Sequence, residues 1–548
     1  MAASAVIAVA LTATPATGRL AVSDAARTYV QARAAAMSGD HARAAQLLAG
    51  LAEAQPDQAD IAKKALSEAI GAGNMSLALS LAHSVPAAKL PVDARMLLVT
   101  EEVRRRHPDR AAQWLAPVGG SGDLRDIVPL INAWTAAERG DARGALSALN
   151  DIPGRSLIGP VDAEQRAFIL LKLKQPADAE PLARRAIGRA GVRETRVRLA
   201  FADAFLAAGD QQRALMMVDG MGEGESAARA RIAAGRNGGQ AIDNLPGALS
   251  EIFTAFASDL VRLQPGSPPI GLVQVARYAN PQNSSATALL AILLAGQDRT
   301  DEALALLRTV PVTDALMRQV RDVQVRILRD DKRFDEAYRI AAAAAGASNA
   351  DFGDFSRFGD LLEAMKRHNE AADAYGRAIA IAQSQKLDSQ LWSLLLLRAS
   401  ALENARRWPE AKAALQQALT LSPDQPLLLN FLGYAKLERG EDMDAAEAMI
   451  RKASDLAPDE ASITDSLGWA EFKRGKVDDA IATLQRAAEK DPAQAEIQEH
   501  LGDALYRSGR RYEARFAWNA SLVTAEDEIA ARVKAKLAAG LNPANAAP

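Results

Sequence analysis

The chain has 548 residues, too many for one compact core, so it holds either several domains or an extended array of repeated units. Composition favours the array: aromatic residues make up 5%, charged residues 24%, and alanine and leucine dominate without the β-branched enrichment that sheets require. A formal net charge of −3 excludes a protein built to hold nucleic acid or anionic lipid on a basic surface, and the absence of cysteine excludes disulfides, thiolate nucleophiles, zinc–thiolate sites and acylation of an N-terminal cysteine.

Residues 1–24 form the first segment. An apolar run from Ala5 to Ala13 is followed by small residues, with Ala16 and Gly18 placed as a signal-peptidase site requires, although no basic residue precedes the run. We read it as a secretory signal, which places the mature chain in the periplasm or cell envelope; the alternative is an Ala-rich disordered tail on a cytoplasmic protein. No later stretch reaches the roughly 18 consecutive apolar residues of a membrane helix.

From residue 25 an alanine returns at steps of mostly 33 to 35: Ala44, Ala78, Ala112, Ala145, Ala179 and Ala214, then Ala303, Ala337, Ala371, Ala411, Ala446, Ala480 and Ala514. Apolar or small residues follow four positions later, as with Leu48, Leu149, Leu307, Tyr375, Leu415, Ile450, Leu484 and Trp518, and again three beyond that. This i, i+4, i+7 spacing is one face of an α-helix, and alanine at the first position lets two helix backbones come close. The ladder defines an N-terminal array over 25–222 and a C-terminal array over 248–525. Between them the glycine-rich, polar stretch 223–247 reads as a joint. Another unit is expected at 248–281, with Pro269 opening its second helix. The step from Ala371 to Ala411 is longer, which lengthens a helix or loop there. Residues 526–548 read as a polar capping helix followed by a frayed tail.

Within the C-terminal array a second ladder appears. "NFLGYAKLERG", "DSLGWAEFKRG" and "EHLGDALYRSG" align Gly433, Gly468 and Gly502, then Gly440, Gly475 and Gly509; Pro423, Pro458 and Pro492 close the preceding units. This pattern resembles the tetratricopeptide repeat, a helix–turn–helix of about 34 residues. The resemblance implies an all-α, right-handed solenoid of about thirteen or fourteen helix pairs over most of the chain.

A search for chemistry returns nothing to set against that. The histidines His41, His83, His107, His368 and His500 are scattered, and no metal-ligand spacing, phosphate-cradling glycine loop or nucleophile elbow occurs. We therefore expect no catalytic residues, cofactor or metal. Trp518 and Tyr375 fall on the buried face of second helices, and Trp408 is placed to pack between repeats.

In tetratricopeptide proteins the residue after the Leu-Gly step, with those three and four before it, faces the concave groove. The resemblance implies a protein- or peptide-binding groove containing Asp360, Ser400, Asn430, Phe431, Tyr434, Asp465, Ser466, Trp469, Lys473, Glu499, His500, Asp503 and Arg507. Aromatic rings among charges suit a binding hot spot; the alternative is that Tyr434 and Trp469 only cover the edge of the next repeat. Family members that clamp acidic chaperone tails carry lysine and asparagine where this chain has Asp465 and Trp469, or Asn430 and Tyr434. Acidic tails are thereby disfavoured, and extended segments with basic or apolar side chains are preferred. The three-repeat block is also similar to the ends of proteobacterial cell-envelope tetratricopeptide proteins. That similarity implies a non-enzymatic scaffold or adaptor for partner proteins such as envelope protease or cell-wall machinery. A scaffold for envelope polysaccharide export and a cytoplasmic scaffold are the alternatives.

Overall fold

The computed structural model describes residues 24–116, 124–152, 158–264, 266 and 268–547. The apolar run at Ala5 to Ala13 lies outside them. Among the described residues there are thirty α-helices, three short 3-10 turns and no strand, so the fold is an all-α solenoid of antiparallel helix pairs.

The alanine ladder explains the pairing. Ala44, Ala145, Ala214, Ala303, Ala371, Ala446, Ala480 and Ala514 have no exposed surface, and each lies three residues after the start of the second helix of its pair. One rung is shifted: the buried residue of the third pair is Ala111 rather than Ala112, because Pro108 starts that helix and fixes its phase. Local signals set many of these starts. Asp40, Asn74, Asp141, Asp210 and Asn283 are N-caps whose side chains accept the backbone N–H three residues on.

The chain divides into two compact units, Met1–Lys332 and Arg333–Pro548. The expected joint at 223–247 is not where they part; it is folded inside the first unit. One of its glycines, Gly238, serves close approach, while Gly224, Gly235 and Gly239 take left-handed backbone at turns. Asp203, fully buried on the helix Glu194–Ala207, accepts the backbone N–H groups of Gly238 at 3.0 Å and Gln240 at 2.9 Å, together with the Arg231 guanidinium at 2.5 Å. A Cβ on Gly238 would stand 2.6 Å from Arg231 Nη1. Beyond this strap the helices Leu245–Leu263 and Ile270–Ala279, with Pro269 at the N-cap of the latter, turn back onto the helix Val92–Arg104. There the Tyr278 hydroxyl donates to Glu101 at 2.6 Å and Arg104 lies over the Tyr278 ring.

In the second unit the helix Phe334–Ala345 precedes five pairs, and the first helices of those pairs are Phe352–Ala364, Asp388–Asn404, Pro426–Glu438, Ala461–Lys473 and Ala495–Arg507. The Leu-Gly glycines sit where a second helix presses hardest. A Cβ would fall 2.8 Å from Ile450 at Gly433, 2.6 Å from Leu484 at Gly468 and 2.3 Å from Trp518 at Gly502. Gly359 stands in the same relation to Tyr375, at 2.6 Å. The extra length after Ala371 is helical, extending His368–Ser384 and Asp388–Asn404 to 17 residues each. First helices end in a left-handed residue: Gly440, Gly475 and Gly509 in three pairs, but Lys366 (φ 59°) and Arg406 (φ 61°) in two others.

Candidate functional site

Because each glycine faces its own second helix, the residues flanking it on the first helix are turned along the row of first helices. Two side-chain networks run along this wall, and both join residues about one repeat apart.

The first is centred on Trp469. Its indole is stacked between Phe472, with ring centroids 4.9 Å apart, and His500, at 4.1 Å. The indole N–H donates to Glu438 Oε1 at 3.2 Å, and Lys473 reaches the same carboxylate at 3.3 Å while lying over the ring. His500 Nδ1 is 2.9 Å from Asp465. Burial opposes charging this imidazole, but the Asp465 carboxylate more than offsets it, so the His500 pKa is raised. Ser466 donates to the Ser462 carbonyl of its own helix. Tyr434 is half-buried beside this cluster, and burial, with Glu438 next, raises its pKa and keeps the phenol protonated.

The second network is closed by the chain itself. The last helix, Asp527–Ala539, sends Lys536 between Glu499 and Asp503, 2.7 Å from each, and Arg532 to Glu499 at 2.9 Å. Lys536, Glu499 and Asp503 side chains are all 0% exposed. Burial works against the Glu499 carboxylate, yet Arg532 and Lys536 hold its pKa below the usual range. For Asp503 burial prevails over Lys536, and its pKa is raised. Asp503 also accepts the Trp518 indole N–H at 2.9 Å, as Asp360 accepts the Tyr375 hydroxyl at 2.6 Å. After the helix the chain folds over through Asn542 and Asn545 and seats Ala547 in the apolar cluster of Leu467, Trp469 and Ala470, with the Ala547 N–H directed at Asp503.

The expected open groove is therefore corrected at six positions. Asp465, Ser466, Trp469, Glu499, His500 and Asp503 are buried among one another and under the last helix and tail. Asp360, Lys473 and Arg507 are exposed, and Ser400, Asn430, Phe431 and Tyr434 are half-buried. The structure brings Tyr434, Asp465, Trp469, Lys473 and His500 together, whereas Asp360 and Ser400 stand on earlier helices. Sequence reasoning missed Glu438, Arg532, Lys536 and Ala547. The available signal was a partner 31 to 35 residues away, as for Glu438 with Trp469 and Lys473 and for Asp465 with His500.

Among the described residues no group of three or more His, Asp or Glu side chains is arranged to hold a metal, and no helix is long and apolar enough to cross a membrane.

Two family models match within this unit: "TPR repeat" over residues 468–509 and "Tetratricopeptide repeat" over residues 396–461. Residues 396–461 and 468–509 are tetratricopeptide repeats. The matches cover the wall helices Pro426–Glu438 and Ala495–Arg507 and part of Ala461–Lys473, while the last helix, Asp527–Ala539, lies outside them. No curated protein matches the sequence. Among solved structures, the APC/C hetero-tetramer Cut9-Hcn1 is similar at 14% identity and a TM-score of 0.37, over 95% of this chain and 97% of that one. Tom70 of yeast is similar at 11% identity and a TM-score of 0.39, over 94% and 95%. YrrB, described as a TPR protein with an unusual peptide-binding site, is similar at 18% identity and a TM-score of 0.27, over 36% of this chain and 97% of that one.

Proposed function

We propose that the second unit holds an extended segment of a partner protein along its first-helix wall, and that the chain is a non-enzymatic adaptor in the bacterial periplasm. Asn430 carries this reading. Its Oδ1 is buried and has no hydrogen-bond partner among the described residues, while Phe431 and Tyr434 beside it keep part of their rings accessible. A buried acceptor left unpaired costs about 1–3 kcal/mol, a cost relieved when a backbone N–H of a bound segment donates to it. Half-open aromatic rings next to that acceptor supply the apolar contact that anchors a peptide. Exposed Asp360 and the Glu438 carboxylate favour basic or apolar side chains in the partner.

Asn430→Ala with Phe431→Ala tests the reading. Crosslinked partners recovered from an envelope fraction should be lost while helical circular dichroism is unchanged; unchanged recovery sinks it. Export is supported by the apolar run from Ala5 to Ala13 and by the similarity to envelope proteins. Determination of the mature N-terminus decides it, an intact Met1 arguing for the cytoplasm.

A further inference from the structure

A cleft of about 740 Å³ opens in the first unit where the C-terminal ends of Val92–Arg104, Val128–Glu138 and Asp162–Lys172 meet the N-terminal end of Leu245–Leu263. Each of the three ends brings exposed cations to it: Arg104 and Arg106, then Arg139, then Lys172. One cation per helix end is ordinary, since the terminal carbonyls there carry partial negative charge. The fourth helix, 19 residues long, opens its N-terminal end into the same space, but its first N–H groups are already taken, that of Leu245 by Glu138 and that of Gly247 by Asn244, so the positive charge left over is that of the side chains.

Two carboxylates line the cleft and both are engaged. Glu138 accepts the Leu245 backbone N–H at 2.6 Å, and Asp243 accepts the Asn244 side-chain amide at 2.7 Å. Arg104 is held by the Tyr278 carbonyl and ring. Arg106, Arg139 and Lys172 are in no ion pair among the described residues. Elsewhere, arginines at the starts of second helices are neutralised three residues on, as Arg299 is by Glu302, Arg367 by Glu370 and Arg407 by Glu410.

We propose that this cleft binds an acidic, extended peptide segment of a partner protein. Packed helices stand about 8–10 Å apart, and a segment in the extended polyproline II conformation has three residues per turn and advances about 3.1 Å per residue, so carboxylates at every third residue share one face roughly 9 Å apart and meet successive helix ends. A bare inorganic anion would satisfy one end only. A nucleic-acid strand is disfavoured because no aromatic side chain lines the cleft to stack its bases. The site is independent of the Asn430 wall and prefers the opposite charge.

The test is fluorescence anisotropy of a labelled peptide of about twelve residues with glutamate at every third position, titrated with the full chain at low salt. Binding should be saturable and weaken with added salt. In the combined variant Arg106→Glu, Arg139→Glu, Lys172→Glu, whose altered side chains are all exposed, affinity should fall by at least about tenfold with circular dichroism and melting unchanged. Arg486→Glu with Lys534→Glu, exposed in the other unit and outside its wall, should leave it unaltered. Absence of binding to the unmodified chain, or equal binding by the triple variant, overturns the proposal. So does tighter binding of a single-stranded oligonucleotide of equal charge. Loss of envelope partners in the Asn430 variant with peptide binding intact would show that the two sites stand or fall separately.

Discussion

The imidazole of His500 lies flat on the indole of Trp469, with centroids 4.1 Å apart and planes at 11°. Its charge state is set from the other edge, where Asp465 is 2.9 Å away. Burial opposes protonation, but Asp465, with Glu496 and Asp503 behind it, overcomes burial and raises the pKa above 6.5. A raised folded-state pKa stabilises fully below the unfolded value and is lost as pH rises through the folded one. The urea midpoint of the second unit should therefore fall as pH is raised above about 6.5, and His500→Gln should flatten that slope. A slope unchanged in the variant would assign the dependence to another group.

Gly468 has no room for a methyl group. A Cβ there would be 2.6 Å from Leu484 Cγ and 3.2 Å from its backbone nitrogen, so the neighbouring helix has to move. Gly468→Ala should cost about 1–3 kcal/mol, in spite of alanine's better helix propensity. Gly376 offers the comparison: its nearest neighbour is an Arg398 side chain at 3.7 Å, and Gly376→Ala should be neutral or stabilising. Thermal melts of the two variants in parallel decide this.

Lys366 and Arg406 occupy left-handed backbone at φ 59° and 61°, where Gly440, Gly475 and Gly509 stand in other repeats. Relief of that strain exceeds the entropy glycine adds to the unfolded chain, so Lys366→Gly and Arg406→Gly should each stabilise by about 0.5–1 kcal/mol. Additive gains in denaturant midpoint are expected; a loss in either would mean that its side chain contributes more than its backbone costs.

Among the described residues Lys536 is the sole buried cation facing both Glu499 and Asp503. Lys536→Met leaves Asp503 facing the cap without a cation, and removal of one partner from a buried ion pair costs about 3 kcal/mol. The last helix should loosen first, read as new protease cleavage within 527–547 by mass spectrometry. Glu499→Gln added to Lys536→Met should recover part of the loss. Because Glu499 titrates below the usual carboxylate range, the contact is present at neutral pH and released only as pH falls through that lowered value.

Asn430→Leu separates docking from stability. The buried unpaired Oδ1 is removed and an apolar side chain put in its place, so melting temperature should hold or rise while partner capture falls. A fall in both would make Asn430 a packing residue.

Repeat phase was legible because it is local. Ala446, Ala480 and Ala514, with Gly433, Gly468 and Gly502, follow from spacing alone, and each meets the neighbour that the spacing assigns. What could not be read was which wall positions remain open. Glu499 and Asp503 look like solvent-facing acids until Lys536, 33 residues after Asp503, is folded over them. The stretch 223–247 looks like a linker because nothing nearby shows that Asp203, 35 residues before Gly238, will accept the backbone N–H groups of Gly238 and Gln240. Both pairs stand about one repeat apart, but repeat spacing alone does not say which side chains will meet.

Ala547 sits where an incoming side chain would otherwise reach Trp469. A tethered occupant of this kind acts at an effective concentration of the order of millimolar, whatever the amount of protein in solution. A visiting segment must outbid it at that position or dock farther up the wall, near Asn430. On the proposed function the tail would act as an affinity threshold, turning away weakly held peptides at the end of the wall, so that selectivity would rest as much on what the chain keeps for itself as on what it offers.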